Sequence, residues 1–208
     1  MKKRTLLLMS GVALVAMPPM VRAQSTGYPL IIIPTGKGPY TFPPGYTTPW
    51  DKIEIRVTEK MSPNLFVLHG SQGLDTAHPD ASGGRAMALF GPDGVLMVDS
   101  QNRQVGDKTL KAVRSFTDGP IKIVVNTHIH SDHTGANAVF SKQGALIYAQ
   151  ENLRNEMLRP PLRANGTPAP APDMADVPVV TYNYNKATEG EPAVTFYMNG
   201  ETVDFIPM

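Results

Sequence analysis

The stretch Thr127-His128-Ile129-His130-Ser131-Asp132-His133-Thr134-Gly135 places three imidazoles and a carboxylate within six consecutive positions, 128–133. It follows Ile121-Lys122-Ile123-Val124-Val125-Asn126, a β-branched run with the composition of a strand buried on both faces. Any fold that accepts this pair must end an interior strand at a polar pocket. Side chains at i and i+2 of an extended chain point the same way, so His128 and His130 are expected to converge at the strand end. Asp132 and His133 follow a turn starting at Ser131 and are expected to face a second point close to the first. Neutral imidazole nitrogen and carboxylate oxygen are ligands that Zn2+ accepts, and two clustered ions suit hydrolysis. A lone histidine such as His69 or His78 reads as an ordinary core or surface residue. Four ligand-type side chains together read as a metal site.

The flanking sequence alternates strand and helix signals. Residues 53–58 alternate polar and apolar, and residues 64–69 read as their partner after the Ser62-Pro63 turn. Residues 86–90 and 95–99 form an expected hairpin across Pro92-Asp93-Gly94. Leu110, Val113 and Phe116 recur at helical spacing within residues 107–118, closed by Gly119-Pro120. The order strand, helix, strand, polar loop is that of a parallel crossover, which puts the histidines at the carboxyl end of a strand. A short helix over 135–143, a strand over 145–149 and a helix over 151–158, stopped by Pro160-Pro161, come next. Residues 160–192 break the regular pattern and suggest a lid carrying Tyr182 and Tyr184. Asn199-Gly200 between two β-rich runs signals a final hairpin.

His128-x-His130-x-Asp132-His133 resembles the signature of the metallo-β-lactamase-fold superfamily of metallohydrolases. The run from Gly83 through Phe90, the Pro92-Asp93-Gly94 turn and Val95-Leu96-Met97-Val98-Asp99 resembles that family's early hairpin, which ends in an aspartate. Gln150-Glu151-Asn152 stands where the family often has His-Glu-Asn. The resemblance implies an α/β (α+β) chain with the αββα sandwich, and His128, His130, Asp132 and His133 as ligands of Zn2+, two ions in the complete enzyme. It also implies a catalytic role for Asp132, which would orient the attacking water. Asp99 would support the ligands from beneath, although a turn or capping role fits the residue equally well. The implied substrates are small molecules containing an amide, ester, lactone or thioester, a β-lactam among them. A redox member of the superfamily is disfavoured, since such proteins usually carry Glu at the position of His130.

The same resemblance implies ligands that this sequence lacks. Family sites add a third histidine to the first ion, and an acidic bridge and another histidine to the second, whereas no histidine follows His133. Each ion would have two protein ligands here, His128 with His130 and Asp132 with His133. Residues 52–208 are therefore expected to be the amino-terminal portion of the domain, an incomplete sandwich amounting to roughly its first half. The alternative to a hydrolase is a truncated, catalytically inactive metal-binding fragment.

Residues 1–23 read as a signal peptide: Lys2, Lys3 and Arg4 precede an apolar run from Leu6 to Met17, and Val21-Arg22-Ala23 forms a small-residue cleavage site. That run is shorter than the ~20 residues needed to span a bilayer. Export to a periplasm or beyond follows as the expectation, with no stable membrane insertion after cleavage. Removing the leader takes four of 19 basic residues and none of the 18 acidic ones, leaving 15 against 18 and a net charge of −3. Such a balance argues against nucleic acid as a partner. Residues 24–51, rich in Pro, Gly and Thr, read as an extended arm. There is no cysteine, which excludes disulfides, thiolate zinc sites and a cysteine nucleophile. Oligomeric state leaves no signature in the sequence.

Overall fold

The computed structural model describes residues 5–9 (backbone only), 47–70, 84–159, 162 and 165–207. Most of the expected leader and arm, with His78, lies outside the described residues. Thr5–Met9, inside the expected leader, forms strand β1.

Seven strands make the main sheet and lie side by side in chain order: β2 (Ile55–Ser62), β3 (Leu65–Gly70), β4 (Ala86–Gly91), β5 (Gly94–Val98), β6 (Ile121–Val125), β7 (Leu146–Gln150) and β8 (Val180–Tyr182). Strands β2 to β5 are antiparallel, whereas β5 to β8 are parallel. Connection length explains the change. The tight turn at Pro92-Asp93 can only reverse the chain, whereas a helix between strands returns it to the starting edge. Helix α1 (Gly106–Arg114) links β5 to β6; α2 (Ser131–Thr134) and α3 (Asn137–Ser141) link β6 to β7; α4 (Glu151–Leu158) follows β7. A second sheet has the order β1, β10 (Glu201–Ile206), β9 (Val194–Met198), with β1 parallel to β10.

Burial of β5 is complete at all five residues, and its side chains alternate between two cores. Val95 and Met97 face the helical side, where they join Val113 of α1, Phe140 of α3, Val124 and Ile147. Leu96 and Val98 face the second sheet, with Ile123, Val125, Val203 and Phe205. Each such side chain removed from water contributes about 1.5–3 kcal/mol. The run 121–125 is buried on both faces as expected, except that exposed Lys122 sits at a register shift in the β5–β6 ladder. The shift lets Ile121 and Ile123 enter opposite cores. Helices, sheet and sheet thus supply three layers of the expected αββα arrangement among the described residues.

Two expectations need correction. The amphipathic helix ends at Arg114, four residues early, and Phe116 reaches the core from the turn that follows. Residues 160–192 are not a continuous lid. Val179 N–H bonds to Ile147 O at 2.9 Å, which starts β8 against β7, and Tyr182 lies in that strand with its ring 5.7 Å from Phe205. Burial pushes the Tyr182 hydroxyl up to about 12, helped by the charge of Asp99. The periodicity of so short a strand was masked by the Pro-rich residues before it. Among the described residues no helix is long and apolar enough to cross a membrane.

Candidate metal centre

Strand β6 ends at Val125, and the histidines follow on a loop instead of on the strand itself. Asn126 N–H makes the last ladder bond, to Tyr148 O at 2.9 Å. The next amide, Thr127 N–H, donates to Asp99 Oδ1 at 2.8 Å. A side chain has replaced the neighbouring strand, so the chain can leave the sheet with its donor satisfied. The short α2 then carries Asp132 and His133, and Thr134 Oγ1 closes it by bonding back to Ile129 O and His130 O.

On this loop the four predicted residues meet pairwise, His130 with His128, His128 with His133 and His133 with Asp132. The rings of His128 and His133 have centroids 3.9 Å apart and those of His128 and His130 are 4.9 Å apart. His133 Nε2 is 3.3 Å from Asp132 Oδ2. His128 is therefore nearer to His133 than to its expected i+2 companion, because the strand geometry that would have paired 128 with 130 has already ended. His130 is exposed, while His128, Asp132 and His133 are half-buried.

Asp99 lies directly beneath them, 3% exposed at the end of β5. Its Oδ2 accepts from Thr127 Oγ1 at 2.8 Å and from His133 Nδ1 at 2.7 Å. Thr127 Oγ1 is also 3.0 Å from His128 Nδ1. A hydroxyl has one proton to give, so once it donates to Asp99 it accepts from His128. The network thus places a proton on Nδ1 of both rings, leaving Nε2 of His128 for a further partner and turning Nε2 of His133 toward Asp132 Oδ2. One buried carboxylate thus bonds His133 directly and reaches His128 through Thr127 Oγ1, the arrangement by which a residue supports ligands from beneath.

The electrostatics differ between the two rings. Burial lowers the pKa of His128, and the neighbouring His133 lowers it further against the pull of Asp99. Burial also disfavours charge on His133, but the bond and charge of Asp99, with Asp132, outweigh it and raise the pKa.

A divalent cation suits these donors in kind. His133 Nε2 and Asp132 Oδ2 present two lone pairs 3.3 Å apart, and only a proton or a cation relieves that approach. Room beside Nε2 exists because residue 84 has no side chain: a Cβ on Gly84 would come within 2.6 Å of His133 Nε2 and 2.8 Å of Asp132 O. In number the fit is incomplete. Among the described residues no three His, Asp or Glu side chains form a group able to hold one ion.

The loop backbone is held by residues that sequence reasoning missed. His133 O accepts from Ser100 N–H at 2.9 Å and from Asn126 Nδ2 at 3.1 Å. Buried Asn126 and Asn137 exchange amide bonds at 2.8 and 3.1 Å, and Asn137 Nδ2 also donates to Asp176 O at 2.8 Å. Asp176 Oδ1 accepts from Ala138 N–H at 2.9 Å, and Oδ2 pairs with Arg103. These partners are scattered from position 100 to position 176, and no local pattern announces them.

The model of the metallo-beta-lactamase superfamily matches residues 80–197, more than half the chain. The chain belongs to that superfamily. It carries the hydrolase fold of these proteins. A linear primary-alkylsulfatase of a Pseudomonas species is 38% identical over 74 residues, covering 32% of this chain and 14% of the sulfatase. Among solved structures, a metallo-beta-lactamase from Pontibacter korlensis is similar at 16% identity and a TM-score of 0.48, with 73% of this chain and 58% of the other covered. A Cronobacter sakazakii metallo-beta-lactamase with a HARLDQ motif gives 17% identity and a TM-score of 0.47 over 69% and 49% of the two chains. The chain thus spans about half the length of the solved members it matches.

Proposed function

We propose that this superfamily member is a zinc-dependent hydrolase in which His128, His130, Asp132 and His133 hold the metal. The observation that carries the reading is the approach of His133 Nε2 to the Asp132 carboxylate beside the His128 ring, with Asp99 and Thr127 occupying Nδ1 of the two imidazoles. A divalent ion bound there supplies Lewis acidity and brings the pKa of water down toward about 7. Asp132, the proposed catalytic residue, accepts a hydrogen bond from the attacking water and orients it. Asp99, directly at His133 and through Thr127 Oγ1 at His128, occupies Nδ1 of both rings, so Nε2 of each would be the atom that meets the ion. The two imidazoles and Asp132 are half-buried, so a small substrate reaches them from solvent. Amides, esters, lactones and thioesters, including β-lactams, are the proposed substrates. Export to a periplasm, or secretion, is proposed from the leader, and Asp99, Asp132 and the histidines then work outside the cytoplasm.

A second substrate reading, primary alkyl sulfate esters, is favoured by the 38% identity to the alkylsulfatase over 74 residues. The non-catalytic reading, a metal-binding fragment, is favoured by the lack of a three-residue group among the described residues. One experiment separates all three. The purified chain is titrated with zinc and given a chromogenic β-lactam, a nitrophenyl ester and a primary alkyl sulfate. Turnover that a chelator abolishes and His133→Ala removes is the expected result, and the substrate turned over decides the class. Zinc retained without any turnover supports the fragment; no zinc retained overturns the metal reading.

A further inference from the structure

Gln101 is completely buried two residues beyond Asp99, with its backbone in the left-handed region at φ 73°. For a residue with a Cβ that conformation costs about 1–2 kcal/mol. The surroundings hold it there: Gln101 O accepts from Ala136 N–H at 2.9 Å, and Gln101 Nε2 donates to Gly84 O. Among the described residues its Oε1 has no hydrogen-bond partner. A methionine would fill the same volume without burying an amide half-used. What glutamine provides and methionine cannot is the donor to the Gly84 carbonyl.

Gly84 is the residue that abuts His133. The nearest atoms to a Cβ built there are His133 Cε1 and Nε2, both at 2.6 Å, with Asp132 O at 2.8 Å. The His133 ring is thus held on two sides. Asp99 grips Nδ1, and Gly84 lies along the Nε2–Cε1 edge. Gly84 lies two residues before the start of β4, and Gln101 ties its carbonyl to the segment after β5.

We propose that Gln101 is a positioning residue: its buried amide anchors Gly84 so that the bare α-carbon confines the Nε2 edge of His133 and sets the space beside it. The part concerning that space rests on the metal reading above; the confinement of the ring does not.

The test uses two variants, Gln101→Met, which keeps the volume, and Gln101→Gly, which suits the left-handed backbone and keeps the fold free of that strain. In the metal-free protein the Gly84 α-proton and amide signals carry a ring-current displacement from His133. Both variants are expected to move these signals toward those of an unconstrained glycine, while signals from β5 and β6 stay in place. Unchanged Gly84 signals in both variants overturn the anchor. Cobalt titration then reads the consequence: the variants are expected to bind about 10- to 100-fold more weakly, with a shifted d–d spectrum. Cobalt affinity and spectrum equal to wild type, with Gly84 released, overturn the positioning role. A wild-type protein that retains no cobalt refutes the metal reading separately, and the Gly84 signals still decide the anchor.

Discussion

Two connections in this molecule are shaped by opposite means. The Asn199-Gly200 turn between β9 and β10 is made by two residues in left-handed conformations, φ 56° and 79°, the pair that a tight hairpin turn requires. The loop from Asn126 to Thr134 has no such local device. Its backbone is bonded by Asp99 at Thr127 N–H and by Ser100 at His133 O, while the Asn126 side chain that also grips His133 O is held by Asn137 and, through it, by Asp176. The first connection draws its shape from its own sequence; the second borrows it from the rest of the fold. A loop of the second kind can keep reactive side chains on its open side, because the side chains of His130 and Asp132 are not needed to hold its backbone. It also fails whenever a distant partner is removed.

The sharpest way to break this contrast is at Asp99. Asp99→Ala removes three hydrogen bonds from a nearly inaccessible carboxylate and leaves Thr127 N–H and His133 Nδ1 without it. Removing one partner of such a buried, charged pair costs about 3–5 kcal/mol, and urea unfolding at neutral pH measures it. Asp99→Asn, which tolerates the left-handed backbone, should recover part of the loss. A loss below about 1 kcal/mol in Asp99→Ala would show that the loop holds itself.

Asn137→Ala sharpens the same point from the other side. It strands the Asn126 amide and Asp176 O in the interior, at about 2–3 kcal/mol. Since Asn126 also grips His133 O, zinc affinity should fall in parallel with stability. An unchanged affinity would separate the asparagine pair from the site.

How much of this was visible beforehand follows from the same distinction. The motif 128–133, the hairpin turns and the buried run of β6 are local patterns, and each appears where its residues put it. The 151–158 helix matches α4 residue for residue. Asp99 was legible only as a candidate, since a strand-end aspartate serves a turn as readily as a histidine. Asn126, Asn137, Asp176 and Gln101 could not be found, because asparagine, aspartate and glutamine signal loops when isolated and acquire their roles only when sheet order brings positions 101, 126, 137 and 176 together. Strand β8 was lost for the related reason that a three-residue strand has too little periodicity to outweigh the Pro-rich residues before it.

Tyr182 tests the wall between the site and the second core. Its folded-state pKa of about 12 lies above the ordinary value of 10, so the folded protein holds the phenolic proton more tightly than the unfolded chain does. That stability is fully present below pH 10 and is lost as pH rises from 10 to 12. Two pKa units correspond to at most about 3 kcal/mol. Urea midpoints at pH 9 and pH 11.5 should diverge in the wild type and much less in Tyr182→Phe, and equal pH dependence in both would remove Tyr182 from that role.

The smallest effect is expected where the chain shapes itself. Gly200 has no heavy atom within 4 Å of the place its Cβ would occupy, so Gly200→Ala meets no neighbour and costs only the strain of φ 79°. That strain is about 1 kcal/mol. Asn199 is a different matter, since its side chain accepts from Asp93 N–H and donates to Gly94 O, both at 2.9 Å, tying this turn to the one between β4 and β5. Gly200→Ala should therefore lower stability by about 1 kcal/mol with zinc affinity unchanged, because nothing connects the turn to the histidines except the sheet between them. Should zinc binding weaken in Gly200→Ala, the two connections would be coupled through the second core, and the division between a self-shaped turn and a borrowed loop would have to be abandoned.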